Sequence, residues 1–200
     1  MESEGFDRHP EEKKAKSKSI MNTGNRQQKL RSKPVTLTRK EIKTMLAEKG
    51  FYDSKLYPRG RGFKNDFGEQ KDDKVVMDHA SGLMWQRSGS DEGTDYKGAK
   101  EYVHQLNQKS FAGHSDWRLP TLEEAMSLMK QTKNRDGLYI NSVFDEEQAW
   151  IMTSDLHKGL FGTRAWVVDF SSGSCCCISF SSAHCVRTVR ALICKNWAPG

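Results

Sequence analysis

From Met1 to about Pro34 the chain shows little hydrophobic periodicity: Ile20, Met21 and Leu30 stand among Lys, Ser, Gln, Asn and Glu. So polar a stretch buries too little apolar area to order itself, and residues 1–36 read as a disordered leader. Helical spacing begins at Thr38, which forms a Thr-x-x-Glu capping box with Glu41 ahead of Ile42, Met45 and Leu46. Gly50 ends that helix. Residues 53–73 mix Gly, Asn, Asp and Lys with the isolated rings Tyr57, Phe63 and Phe67, which predicts an extended loop docked by its aromatics. Residues 37–74 are therefore expected to form a capped helix followed by a docked loop.

Beyond it, Val75-Val76-Met77 and Leu83-Met84-Trp85 read as short strands joined by Asp78-His79-Ala80-Ser81-Gly82, whose Asp, Ser and Gly suit a turn. A second helix fits Asp95 to about Gln108, with Tyr96, Ala99, Val103 and Leu106 on one face. A third begins at Thr121, where Thr-Leu-Glu-Glu supplies another capping box and Ala125, Leu128 and Met129 the buried stripe. After Phe144 the texture turns to β-branched and aromatic runs at 150–153, 165–170 and 186–193. This grouping predicts an α+β domain, two or three helices packed on a twisted antiparallel sheet, rather than alternating βαβ units.

Charge sharpens the division. Residues 1–40 hold 11 Lys/Arg against 5 Asp/Glu, while residues 41–200 hold 21 of each, so the leader carries the whole net charge of +6. A folded part without net charge is a poor docking surface for phosphate backbones, and no specific nucleic-acid partner is expected. No run approaches the roughly 20 apolar residues that span a bilayer, and no apolar run near the N-terminus marks a secretory signal. The expectation is a cytoplasmic chain, or a virion-associated one if a phage or virus encodes it, and a monomer, with an oligomer as the alternative. All five cysteines fall late, at 175, 176, 177, 185 and 194. That is no disulfide framework, and reduced thiols are expected.

Asp116-Trp117-Arg118-Leu119-Pro120-Thr121 resembles the Trp-Arg-Leu-Pro-Thr signature of the formylglycine-generating-enzyme-like branch of the C-type lectin fold. Asp78 to Trp85 is similar to that branch's Asp-x-x-Thr-Gly-Leu-Met-Trp strand, Trp166 to Phe170 to its penultimate long strand, and Val186 to Arg190 to its closing Val-Arg-x-Val-Arg strand. The resemblance implies a lectin-type ligand-binding domain over 75–195. Within the branch, the chain most resembles the variable proteins of diversity-generating retroelements, in which adenine-directed mutagenesis randomises codons between the last strands.

The corresponding segment here is Ser171, Ser172, Gly173, Ser174, Cys175, Cys176, Cys177, Ile178, Ser179, Phe180, Ser181, Ser182, Ala183, His184 and Cys185. Every one of these residues can be written with a codon ending in cytosine whose first two bases are free. Lys, Glu, Gln, Met and Trp cannot. Those five types make up 54 of the 200 residues, so their absence from all 15 positions has a chance of about 1% on composition alone. Runs of Ser and Cys also lack the alternation and volume of a packed strand. The segment 171–185, with Arg164 at its margin, is thus the predicted ligand-contacting surface, with Phe180, Ile178 and His184 supplying most contact area to a macromolecular, protein-like partner.

Other chemistry fits less well. Cys175, Cys177, His184 and Cys185 are soft ligands, but no Cys-x-x-Cys or His-x-x-x-His spacing supports a metal site, and no cofactor is expected. The catalytic stretch of the formylglycine-generating oxidases has no counterpart in the chain, and neither Glu-Pro-Asn nor Trp-Asn-Asp provides a calcium ligand set. His79, His104, His114 and His157 read as turn or surface residues, Trp85, Trp117, Trp150 and Trp166 as core, and Glu123 and Glu124 as helix-cap carboxylates. A regulatory module with a fixed small-ligand pocket is the second reading.

Overall fold

The computed structural model describes residues 28–68, 73–159 and 162–192. Helix α1, Arg39–Lys49, starts on the Thr38 capping box and stops where Gly50 takes a left-handed φ of 68°, burying Ile42 and Leu46. Strands β1, Val75–Asp78, and β2, Leu83–Gln86, form the expected hairpin. Asp78 builds its turn: the buried carboxylate accepts from Ala80 N, Ser81 Oγ, Asp66 N and Asn65 Nδ2. Helix α2, Tyr96–Gln108, is capped by Asp95 through Gly98 N, and α3, Leu122–Met126, by Thr121 with Glu124.

The antiparallel strands fall into two three-stranded sheets. One has the order β1-β2-β6, with β6 at Val189–Ala191; the other has the order β3-β4-β5, with β3 at Trp150–Gly159, β4 at Gly162–Asp169 and β5 at Ser174–Ile178. The β2–β6 ladder, Met84 against Arg190 and Trp85 against Val189, brings the end of the domain back to its first hairpin. The sheet β3-β4-β5 is covered on both sides. Val168, Trp166 and Ile151 face a main core shared with α1, α3 and the hairpin, whereas Val167 and Met152 face a smaller cluster with Ala99 of α2, Leu119 and Val186. Period-two alternation along β4 thus serves two cores.

Helix α3 ends at Met126, so Leu128 and Met129, expected on its stripe, are buried beyond its end, and three further elements depart from expectation. Residues 1–27 lie outside the described residues, but 28–36, read as disordered leader, are docked: Leu30 is buried, and Arg31 grips Asp155 at 2.9 and 2.6 Å. Asp155 is fully buried, and it also accepts from Val35 N and from Leu122 N at the start of α3. A buried carboxylate is retained when ionic and hydrogen-bond partners surround it, which is the role this arginine fills. Strand β3 runs past the expected Thr153 to Gly159 through an irregularity between Met152 and Leu156 that turns Asp155 inward. The last strand is shorter than 186–193, because Val186 and Thr188 bond to Ser90 and Gln86 outside the ladder; Ile193 lies outside the described residues. Among the described residues no helix is long and apolar enough to cross a membrane.

Candidate functional site

The segment 171–185 divides into two parts. Its first part is tied down. The Asp169 carboxylate accepts from Ser171 N at 2.9 Å, from the Ser171 hydroxyl at 2.5 Å and from both the amide and the hydroxyl of Ser172, whose Oγ also meets Ser174 Oγ at 2.9 Å. Asp53, fully buried in the loop after α1, accepts from Cys175 N at 2.8 Å as well as from Lys55 N and Leu56 N. Ser54 donates to the carbonyls of Ser172 and Gly173. Gly173 sits at φ 69°, where an added Cβ would stand 2.8 Å from the Tyr139 ring. Ser174 and Cys175, expected on the ligand-contacting surface, are therefore buried, at 2% and 6% exposure.

From Cys176 to Cys185 every residue is exposed or half-buried. Strand β5 pairs Cys175 with Val168, Cys176 with Val167, Cys177 with Trp166 and Ile178 with Ala165. Cys176 and Ile178 consequently lean toward the α2 cluster, and Cys175 and Cys177 toward the main core. The chain then crosses the start of α2, held by main-chain bonds from Tyr96 N to Phe180 O and between Thr94 and His184 in both directions. Cys185 O accepts from Met152 N.

Side chains on this crossing meet fixed aromatics. Phe180, 37% exposed, stacks on Tyr96 with centroids 4.8 Å apart, and His184 stacks on Trp150 at 5.1 Å. Lys100 lies over the other partner of the first stack, its Nζ 4.8 Å from the Tyr96 centroid. Beside Phe180 opens a cleft of about 620 Å³ lined by Tyr96, Lys97, Lys100, Leu156, Thr163 and Ser181. Arg164 is exposed on β4, next to the Ala165–Ile178 pair.

Two framing residues were not singled out from the sequence. Tyr96 falls on the apolar stripe of α2 but is half-buried under Phe180, and Trp150 is half-buried while Trp85, Trp117 and Trp166 are core. Helical and strand periodicity assign such rings to the interior, so only position next to the segment 171–185 could have marked them.

Thiolate chemistry is disfavoured here. Burial raises the Cys175 thiol well above the ordinary value of 9.0, and raises Cys176 and Cys185 as well, so these groups stay protonated near neutrality. Cys175, Cys176, Cys177 and Cys185 are free thiols, and Cys194 lies outside the described residues. Among the described residues no group of three or more His, Cys, Asp or Glu is placed to hold a metal ion. Burial also lowers the His184 imidazole below 6.5.

Directly after this crossing, Val186 to Arg190 is wholly buried. Arg187 donates to Ser88 O, Asp145 O and Gln148 Oε1, lies over the Phe144 ring, and is lowered to about 10 by its burial. Arg190 bonds Asp116, and Arg118 pairs with Glu124 at 2.7 and 2.6 Å. The Trp-Arg-Leu-Pro-Thr and Val-Arg-x-Val-Arg landmarks are thus adjacent pieces of one scaffold, joined by the Arg118–Val189 bridge. The profile of the Lcl C-terminal domain family matches residues 74–190.

The chain belongs to the Lcl C-terminal domain family. This is a C-type-lectin-fold domain of the variable proteins of diversity-generating retroelements, and the three helices and two small antiparallel sheets agree with it. Family membership points to a ligand-binding role. The matched span of the Lcl C-terminal domain contains the whole segment 171–185 and leaves α1 and the loop after it outside. No curated protein and no solved structure matches the chain.

Proposed function

We propose that this chain is a non-enzymatic recognition protein whose diversified face, centred on Cys176 to Cys185, binds a macromolecular, protein-like partner. One observation carries the reading: all ten residues from Cys176 to Cys185 reach solvent, while Ala165 to Phe170 before them and Val186 to Arg190 after them are buried. Side chains that vary without holding the scaffold together can change specificity and leave the fold alone. Phe180 and Ile178 supply apolar area, Ser179, Ser181 and Ser182 adaptable hydrogen bonds, and Tyr96, Trp150, Lys97, Lys100 and Arg164 an aromatic and cationic margin.

Replacing Ser179, Phe180, Ser181, Ser182 and Ala183 with another set encodable by cytosine-ending codons tests this. Binding to a cognate partner, once selected from a display library, should be lost, while unfolding stability moves by no more than about 0.5 kcal/mol. Unchanged binding after the exchange would sink the reading. Diversification itself is checked in the genome, where a reverse transcriptase and a near-identical template repeat differing at adenines should adjoin the gene.

A further inference from the structure

The alternation of β5 gives the variable segment a second face. Opposite the α2 side lies a partly enclosed cavity of about 310 Å³, lined by Cys175, Cys176, Cys177, Trp166, His157, Leu56, Arg39 and Lys55. Its floor and its walls have different origins. The three cysteines belong to the segment that reads as diversified, whereas Arg39 at the start of α1 and Lys55 and Leu56 of the docked loop precede the matched family span. In the proposed reading the floor can change at 176 and 177 under a cationic wall that lies outside the segment.

Among the described residues neither Arg39 nor Lys55 is ion-paired. Asp53, the carboxylate bonded to the floor strand, is fully buried and already accepts three backbone N–H groups. His157 donates from Nδ1 to Leu37 O at 3.1 Å, and the Trp166 indole donates to the same carbonyl at 3.2 Å, so both rings are fixed as walls. Two exposed cations over a small apolar-walled cavity form a receptor for one anionic group; the volume suits a single side chain, not an extended polymer.

We propose that this cavity is a second binding site, which takes a side-chain carboxylate of a partner polypeptide between Arg39 and Lys55, with position 177 setting how deeply it enters. Cys177 leaves the cavity open, and a bulky residue sampled there closes it. The site lies on the opposite face of β5 from the Phe180 cleft and stands whether or not that cleft binds a partner.

The test is a titration of the full chain with N-acetylglutamate α-amide, followed by NMR at the Trp166 indole and the Cys177 amide. Saturable shifts are expected with a dissociation constant on the order of millimolar, as suits one small ligand. The neutral N-acetylglutamine α-amide should produce none, and Arg39→Gln with Lys55→Gln should weaken the response about tenfold or more. Cys177→Phe should abolish it, and exchange of Ser179 to Ala183 should leave it unaltered. Equal shifts from the neutral probe, an undiminished response in the double variant, or saturation by inorganic phosphate but not by the carboxylate would overturn the assignment.

Discussion

Ser171–Cys175 and Cys176–Cys185 are both rich in Ser and Cys and fit one codon pattern, yet the molecule uses them oppositely. In the first, Asp169 and Asp53 collect hydroxyls and amides, and three residues, Gly173 to Cys175, are buried. In the second, contacts to the scaffold are main-chain hydrogen bonds, two aromatic stacks and the partial packing of Cys176, Cys177 and Ile178 against the two cores. Sampling a sequence does not by itself make a position free. What frees a position is that no other group depends on its side chain.

Three perturbations sharpen this contrast, beginning with the most severe. Asp53→Ala strands the amides of Lys55, Leu56 and Cys175 and should cost about 2–4 kcal/mol in chemical denaturation, since each buried donor loses its acceptor. A loss under about 1 kcal/mol would show the first part to be as loosely held as the second. Next comes a matched pair with the same incoming side chain. Cys175→Tyr overpacks a buried site and should cost about 1–3 kcal/mol, while Ser182→Tyr stays within about 0.5 kcal/mol. Equal effects would erase the boundary at Cys175.

The smallest effect concerns pH. Burial holds the folded His184 pKa below the unfolded value of about 6.5, so below that pH the unfolded chain binds more protons and is favoured. The penalty grows as pH falls from about 6.5 through the folded pKa and then levels off. Melting temperature should therefore drop slightly over that window, and His184→Gln should remove this part of the drop. An identical profile in the variant would mean that the Trp150 stack leaves the imidazole as free to protonate as in the unfolded chain.

Much of the scaffold was legible because its signals are local. Thr38 and Glu41, Asp95, and Thr121 and Glu124 cap helices within three residues of themselves, and both capping boxes read from sequence are present. The hairpin declared itself through Asp78 and Gly82. What stayed hidden depends on partners far along the chain. Arg31 lies 124 residues from Asp155, so a lysine-rich stretch looked unstructured where it is strapped to β3 and α3. Asp53 lies 122 residues from Cys175, and nothing near either residue reveals the bond that buries one end of the segment 171–185. Ser174 and Cys175 were consequently read with their exposed neighbours.

The main-chain bonds of the crossing carry one more consequence. His184 N donates to Thr94 O at 3.0 Å, and Ser182 N donates to Ser179 O at 3.1 Å, so these positions accept nearly any side chain but require an amide hydrogen. Proline, which the codon CCC spells, lacks it. Under the proposed diversification, a codon free in its first two bases would sometimes spell proline at these two sites, breaking the turn at Ser182 or the link from His184 to Thr94, and the repertoire would carry a quality-control toll there.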